Sequence, residues 1–467
     1  MSSFNSIADK DWQEFIRDKR LLIMGALTLG LALSSIVTMF ANVRAYEVTR
    51  TVSEQQDRVT WENQGDRNPH SVAHFATWAF RPQTALSVLD PGLTPYAGAA
   101  IWMEAHHQNG ARARPIDDKP TVLNLGHFSV AWVLQTIVPL LLFIVAAGLI
   151  SRERERGTLR LLLVAGADGS VLLRNKLNGL IKVIAVIALP ILASGILAAL
   201  FAGAIDPLRL CLWIAVNGVF LGIIVVIGTA VSALSRTVSQ ATMALIGLWS
   251  AAILLTPRAG VALAEFVAPT PSPEVFWGDM SDELSDLPNP FEDDSFERTI
   301  LEKYGVETTE DLPVSFAGLQ LIESERIDAV VFDRSFGELT EIYLRQRVLM
   351  RLMSLLSPLP ALQHVSSALA GTDIYHQLAF QSQAEVHRRD VVGALNQDMV
   401  DNAVGQDWDY VADESLWRAS DTFHFHAPSH LDTLRTIWLD LLILGLWSIG
   451  ALVLFRFAST SFVRSIV

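Results

Sequence analysis

The sequence predicts an α-helical integral membrane protein with six transmembrane helices and a mainly helical domain exposed to water. The first reason is composition: 51% of the 467 residues are hydrophobic and the mean hydropathy is +0.34, which is too apolar for an ordinary soluble protein. The second is a series of six apolar runs, of about the length that crosses a hydrocarbon core of about 30 Å. The third is that the short segments between these runs are basic and the long segments are acidic, as the positive-inside rule requires.

The chain begins with an amphipathic pattern over residues 1–20. Apolar residues such as Phe4, Trp12 and Phe15 recur at helical spacing, with charged residues opposite them. This pattern is typical of an elbow helix that lies along the inner surface of a membrane. Because basic residues cluster between Lys10 and Arg20, ahead of the first apolar run, we expect the chain to start inside the cell.

The spans and the segments between them follow in order. The long segment before the sixth span exceeds any ordinary loop, so we expect it to fold as an extracytoplasmic domain together with the first long insertion. Both termini then lie in the cytoplasm. The predicted layout is span 1 at 21–43, insertion 1 at 44–127, span 2 at 128–150, a basic cytoplasmic loop at 151–176, span 3 at 177–203, span 4 at 209–234, span 5 at 240–256, insertion 2 at 257–432, span 6 at 433–457 and a cytoplasmic tail at 458–467.

Three details of the spans can be tested against a structure. The polar stretch after Val43, up to about Asn63, is able to continue the first span as a helix. The fifth span is slightly short and has Pro257 at its outer edge, where a proline ends a helix readily. We expect Lys182 to be the only strongly ionisable residue within the spans. Since its side chain can snorkel to the inner surface, a proton-relay transporter has little support.

Charge and cysteine content exclude other classes. The formal net charge is −14, whereas a nucleic-acid-binding protein needs a basic surface, so we expect no nucleic-acid partner. The single cysteine, Cys211, cannot form an internal disulfide. The first apolar run lacks a convincing cleavage site for a signal peptide, and we expect it to remain as a membrane anchor.

The loop at 151–176 is the densest basic segment of the chain and contains six cations. Residues Glu153 to Leu163 are predicted to form one helix, Gly166 and Gly169 to end it, and Asp168 to cap the helix that enters the third span.

This loop resembles the coupling loop in permease subunits of type-2 ABC exporters, where a Glu is followed by Gly-Thr-Leu, a turn, and a Lys that opens the next span. The elbow pattern at residues 1–20 is similar to the helix that precedes the first span in that family. Two further segments, residues 82–98 and 357–396, resemble a branch of the family that carries a large extracytoplasmic insertion.

The resemblance implies a role and a set of partners. In such permeases the loop forms a cytoplasmic coupling helix that docks on a separate ATPase subunit. The complex would then contain two copies of the ABC ATPase, a second permease that is identical or homologous, and membrane lipid, in the bacterial inner membrane; a periplasmic protein is a further candidate partner. The coupling residues implied are Arg152, Glu153, Glu155, Arg156, Gly157, Thr158, Leu159 and Lys176.

No catalytic motif accompanies these features. The sequence has no G-x-x-x-x-G-K-[ST] segment to cradle phosphates, so we expect no cofactor in this chain, with ATP and Mg²⁺ on the partner ATPase. The chain is therefore predicted to be a transporter subunit and not an enzyme. The alternative is a membrane-embedded scaffold or mechanotransmission component that acts on a periplasmic partner without moving a substrate. A periplasmic enzyme on a membrane stem is less favoured, because six spans exceed what a membrane anchor needs.

The histidines form the one constellation that suggests a metal. All 11 fall in predicted extracytoplasmic segments, including the pair His70 and His74 and the pair His106 and His107. Imidazoles at such spacings bind copper or zinc. These segments hold most of the residues outside the membrane, however, and supporting cysteine ligands are missing. We therefore expect no metal site, and the candidates, should one exist, are His424, His426 and His430.

Overall fold

The computed structural model describes residues 19–114, 128–164 and 168–464, together with residues 13 and 17. Almost all of the predicted elbow helix, the predicted break at Gly166 and the last residues of the tail lie outside the described residues. The described α-helices of four or more residues are α1 (Lys19–Glu62), α2 (Pro69–Phe75), α3 (Val138–Ala147), α4 (Ser151–Glu155), α5 (Thr158–Val164), α6 (Gly169–Ala202), α7 (Pro207–Leu234), α8 (Val238–Trp249), α9 (Thr256–Val267), α10 (Pro273–Ser285), α11 (Asp294–Tyr304), α12 (Phe316–Met353), α13 (Pro358–Ala370), α14 (Ile374–Asn402), α15 (Ser415–Arg418) and α16 (His430–Arg464).

The predicted six-helix membrane protein is confirmed at the level of its helices. Within the described residues, six helical runs are long and apolar enough to cross a membrane. The run from Val130 to Glu155, which contains α3, is the central one: 78% of its most apolar segment is buried, against 17–44% in the other five. The runs are Leu22–Glu62, Val130–Glu155, Gly169–Ala202, Pro207–Leu234, Val238–Val267 and His430–Ser461.

Short polar side chains start these helices. Asp168 Oδ1 accepts hydrogen bonds from Ser170 N and Val171 N at 2.7 and 3.1 Å, which confirms the predicted cap of the third span. The side chain of Asp206 caps α7 in the same way, just before Pro207. Each cap satisfies backbone N–H groups that have no partner inside the helix.

Helix α1 continues to Glu62, as the polar stretch after Val43 predicted. The fifth long helix differs from expectation, because it does not end at Pro257 but runs on to Val267. A π-helical turn over Ser250–Leu255 precedes the proline. Proline has no backbone N–H to donate, and the Ser357 hydroxyl donates to the carbonyl of Ala252, five residues before it, at 2.7 Å. A residue from outside the helix thus bonds to its backbone next to the proline.

Helix α13 lies inside the bundle, although the sequence placed all of 257–432 in the water-exposed domain. Its leucines and alanines belong to the main apolar core and pack against α7 and α16. Trp213 of α7 donates from Nε1 to the Ser366 hydroxyl at 2.8 Å, and Ser366 donates in turn to Asp90. Thirteen residues are too few to cross a membrane, so the length of α13 gave no sign that it packs among the long apolar helices.

Apart from α13, the two insertions form one domain, here called the two-insertion domain (residues 44–114, 268–357 and 371–429). Trp61 and Val72 of the first insertion share an apolar cluster with Leu395 and Trp417 of the second. The domain also contains strands that the sequence did not predict: β1 (Thr77–Phe80), β2 (Ala100–Glu104) and β3 (His107–Gln108) form an antiparallel sheet in the order β1-β2-β3. The sheet packs against α14 through residues that include Ile101 and Phe380.

Candidate functional site

The basic loop consists of two short helices instead of the single helix predicted from Glu153 to Leu163. Helix α4 ends at Glu155 and α5 begins at Thr158. Between them, Gly157 has a φ of +73°, a left-handed conformation that glycine adopts without steric cost. We call the end of the helical bundle that holds this loop the loop end, and the opposite end the domain end.

An ion pair joins the loop to the third long helix. Lys176 Nζ lies 2.6 Å from Glu153 Oε1, and the lysine is only 2% exposed. Both residues were predicted as coupling residues. A charge pair at this depth holds a defined geometry, because separating its members would leave a charge without compensation in an apolar setting.

Arg154 joins the loop to the fourth long helix. Its guanidinium donates to the carbonyls of Ala233 and Ser235 at 2.9 and 2.5 Å, at the C-terminal end of α7. Cations at a helix C-terminus satisfy carbonyls that lack an intrahelical partner. Nearby, the Ser232 hydroxyl donates to Ala147 O at 3.0 Å and accepts from Ile150 N at 3.1 Å. Arg154 was not among the predicted site residues. Because Arg152 and Arg156 on either side of it are exposed, the sequence did not distinguish Arg154 from them.

Glu155 joins the loop to the fifth long helix. Its Oε1 accepts from Val238 N at 3.0 Å, at the first turn of α8. A carboxylate is favourable there because the helix N-terminus carries partial positive charge. The loop is therefore bonded directly to α6, α7 and α8.

The outward side of the loop combines basic and apolar groups. Five of the predicted residues are exposed: Arg152, Glu155, Arg156, Gly157 and Thr158. Leu161 and Val164 are exposed too, at 69% and 79%. Leu159 is the opposite case, 1% exposed. It packs in a cluster whose other fully buried members are Ile150, Leu172, Leu173, Ala230, Ala233 and Ala458. The loop thus has one face fixed to the bundle and one apolar and basic face open to solvent.

A second polar centre lies toward the domain end, and it corrects the expectation that Lys182 is the only strong ionisable residue in the spans. Asp440 of α16 is fully buried. Its carboxylate is contacted by Arg351, Arg347 and His364, at 2.9, 3.5 and 3.4 Å. The partners come from α12 and α13, so this charge inside an apolar run is compensated by residues far away in the sequence. Asp440 is visible in the sequence within the predicted sixth span at 433–457, whereas its distant partners are not.

A cavity of about 600 Å³ lies beside this centre. Arg347 and His364 line one side of it, and Asp373 and Gln377 of the α13–α14 region line another. Val261 of α9 contributes an apolar wall. Mixed walls of this kind suit a ligand that has both apolar and polar parts.

The three histidines that the sequence suggested as metal ligands are not the ones that the structure brings together. His424 and His426 are exposed, and His430 Nε2 lies 2.5 Å from Asp206 Oδ2. Among the residues that the structure describes, these three do not form a group able to hold a metal ion. The group that does form consists of His70, His74 and His106, all of them in the first insertion, with ligand nitrogens within 4.8 Å of one another.

The environment of this group keeps an imidazole neutral. Burial, together with the neighbouring His106 and His74, lowers the pKa of His70 to about 3. The His70 ring is therefore neutral at physiological pH, with a proton on one nitrogen and a lone pair on the other. His74 is exposed, so solvent reaches one side of the group.

Comparison with known proteins identifies one segment. Residues 288–426 match the family model described as a domain of unknown function (DUF3526). The match covers less than a third of the chain and falls within the second insertion, from just before α11 to the segment after α15. No similar curated protein and no similar solved structure was found.

Proposed function

We propose that the protein is the permease subunit of an ATP-driven ABC exporter in the bacterial inner membrane, with both termini in the cytoplasm. The observation that carries the proposal is the construction of the loop at Ser151–Val164. One of its faces is bonded to three long helices, whereas Leu161 and Val164 on the other face are exposed beside arginines. Exposed apolar side chains rimmed by charge are typical of a surface that binds a protein partner.

The partner proposed for this surface is an ABC ATPase, present in two copies that carry ATP and Mg²⁺. A second permease, identical or homologous, would complete the translocation path among membrane lipids. The resemblance of Glu155, Gly157, Thr158 and Leu159 to the coupling loop of type-2 exporters supports this choice of partner.

The bonds of the loop suggest how movement would pass through the chain. Closure of the ATPase subunits would push α4 and α5. The pair Glu153–Lys176, the bonds of Arg154 and the bond of Glu155 would pass this displacement to α6, α7 and α8. At the domain end, Arg209 of α7 contacts His376 of α14 at 3.2 Å, which links that helix to the two-insertion domain.

A second function is favoured by the size and attachment of that domain. The chain would then transmit mechanical work to a periplasmic partner without moving a substrate across the bilayer. The ion pairs of Asp440 with Arg347 and Arg351 support this alternative, because they join the domain rigidly to the sixth long helix. Stimulation of ATPase activity by a lipid or hydrophilic substrate favours export, whereas co-purification of a periplasmic protein favours mechanical transmission.

The proposal is tested by purification from mild detergent and by labelling. An ABC ATPase should co-purify with the chain, and replacement of Leu161 and Val164 by Ser should release it. Cysteine placed at Thr158, with Cys211 replaced by Ser, should be inaccessible to a membrane-impermeant thiol reagent added to intact cells. Labelling of Thr158→Cys from outside would show that the loop faces the outside of the cell, and this result would refute the proposal.

A further inference from the structure

Three imidazoles converge at one place in the two-insertion domain. His70 and His74 are four residues apart on α2, so their side chains lie on the same face of the helix. His106 reaches the same point from the turn between β2 and β3. The turn is held against the helix by a hydrogen bond from Ala105 N to Ala73 O at 3.2 Å.

The spacing of the nitrogens fits a metal ion. His74 Nε2 lies 3.0 Å from His70 Nε2, and His106 Nε2 lies 3.5 Å from it. Two nitrogens that each bind zinc at about 2.0–2.1 Å in tetrahedral geometry lie about 3.3 Å apart, which falls between these two distances. Lone pairs that face one another so closely repel unless a proton or a cation lies between them.

His106 is held in place at a conformational cost. Its φ is +58°, in the left-handed region that residues other than glycine seldom adopt. Glu325 of α12 supports it: Oε1 accepts from His106 N at 2.5 Å and lies 3.2 Å from Nδ1. The carboxylate lies beside Nδ1 without hydrogen-bond geometry, and its negative charge favours a proton on Nδ1, which leaves the Nε2 lone pair for the site shared with the other two rings. A carboxylate behind a histidine is the usual second-shell partner of a metal ligand.

Glu325 is itself fixed by a buried cation. Arg388 of α14, 2% exposed, contacts Glu325 Oε2 at 3.1 Å and donates to the carbonyl of Glu104 at 3.1 Å. The three histidines belong to the first insertion, while Glu325 and Arg388 belong to the second. The site therefore depends on the association of the two insertions.

We propose that His70, His74 and His106 bind one divalent transition-metal ion, Zn²⁺ or Cu²⁺, through their Nε2 atoms, with Glu325 as a positioning residue. Three imidazoles without thiolate match the preferences of these ions. Because His74 is exposed, the fourth coordination position opens to solvent and accepts water or an exchangeable ligand. The site is independent of ATP coupling and stands whether or not the chain exports a substrate.

The test uses the full-length protein in detergent, purified with an affinity tag free of histidine and stripped with a chelator. Calorimetric titration at neutral pH with Zn²⁺ and, separately, with Cu²⁺ should give one ion per chain. His74→Ala, which alters an exposed residue, should weaken binding at least about tenfold, and the double variant His70→Ala/His74→Ala should abolish it. Glu325→Gln should weaken binding about 10- to 100-fold.

The matched control is His424→Ala/His426→Ala, which removes two exposed histidines of the same domain and should leave binding unchanged. The melting temperature of each variant, recorded without metal, separates loss of a ligand from loss of the fold. X-ray absorption of the Cu²⁺ complex should show three imidazole nitrogens. The proposal is overturned if the wild type binds less than stoichiometric metal, if His70→Ala/His74→Ala binds as tightly as the wild type, or if fewer than three imidazoles coordinate the ion.

Discussion

Arg351 forms a bidentate ion pair with Asp440, and this pair joins the longest helix of the two-insertion domain to the sixth long apolar helix. Arg351 Nε lies 3.1 Å from Oδ1, and its Nη2 lies 2.9 Å from Oδ2. The same guanidinium donates to Thr436 O at 2.9 Å, one turn earlier in α16. A buried carboxylate with this many partners fixes the angle at which α12 meets the bundle.

Removal of that carboxylate should destabilise the protein strongly. Asp440→Ala leaves Arg347 and Arg351 without their buried counter-charge, and we expect a loss of about 3–5 kcal/mol in the free energy of unfolding. The measurement is the unfolding transition in detergent. Asp432→Ala, on the exposed first turn of the same helix, should leave the transition where it is. Equal effects of the two variants would show that the Asp440 pairs contribute nothing.

Breaking the Glu153–Lys176 pair should weaken the loop end. Lys176→Ala leaves the Glu153 carboxylate without its partner, and we expect a loss of about 3 kcal/mol together with reduced ATPase stimulation in the complex. The charge-reversed double variant Glu153→Lys/Lys176→Glu should recover most of the stability. Arg174→Ala, an exposed cation on the same helix, serves as the control for loss of positive charge. If the double variant is no more stable than Lys176→Ala, the ion pair itself does not stabilise the position of the loop.

Replacement of Gly157 tests the turn between α4 and α5. A Cβ at this position would meet no atom within 4 Å, so Gly157→Ala introduces only the conformational cost of the left-handed backbone, about 1–2 kcal/mol. We expect insertion into the membrane to remain normal while ATPase stimulation falls, an effect that Glu155→Ala should share by removing the cap on α8. Gly247→Ala, in an open part of a helix, should affect neither property. Normal coupling in Gly157→Ala would count against the coupling role of the loop.

Asp328 should make the two-insertion domain less stable as the pH rises. Burial and the neighbouring Glu325 raise the pKa of Asp328 from its usual 3.8 to about 6. The folded state therefore holds this proton more tightly than the unfolded state does, and its contribution is complete below pH 4 and is lost as the pH passes 6. For a half-buried carboxyl we expect about 1 kcal/mol. The melting temperature at pH 4.5 minus that at pH 7 should be larger for the wild type than for Asp328→Asn, and equal values of this quantity would refute the assignment.

The sequence predicted the membrane helices well because their signal is local. A run of apolar residues is visible without knowledge of its neighbours, and caps such as Asp168 act within a few residues of themselves. The predictions were wrong where contacts with residues far away in the sequence determine the local structure. Pro257 should end a helix, yet the helix continues to Val267, and the distant Ser357 bonds to the carbonyl of Ala252 before the proline. Helix α13 is buried among α7 and α16, although its length gives no sign of this packing.

The functional groups divide in the same way. The basic loop, its glycine and its glutamates were evident from the order of residues, and the sequence by itself determined six apolar helices, a charged loop between two of them and a large polar domain. Only the tertiary structure decided that Asp440 is paired, that Arg154 bonds to the end of α7, and that His70, His74 and His106 meet in front of Glu325. These contacts join residues tens to hundreds of positions apart. They depend on how the helices pack against one another. Hydrophobic periodicity shows which face of a segment is buried, but it does not show which other segment packs against that face.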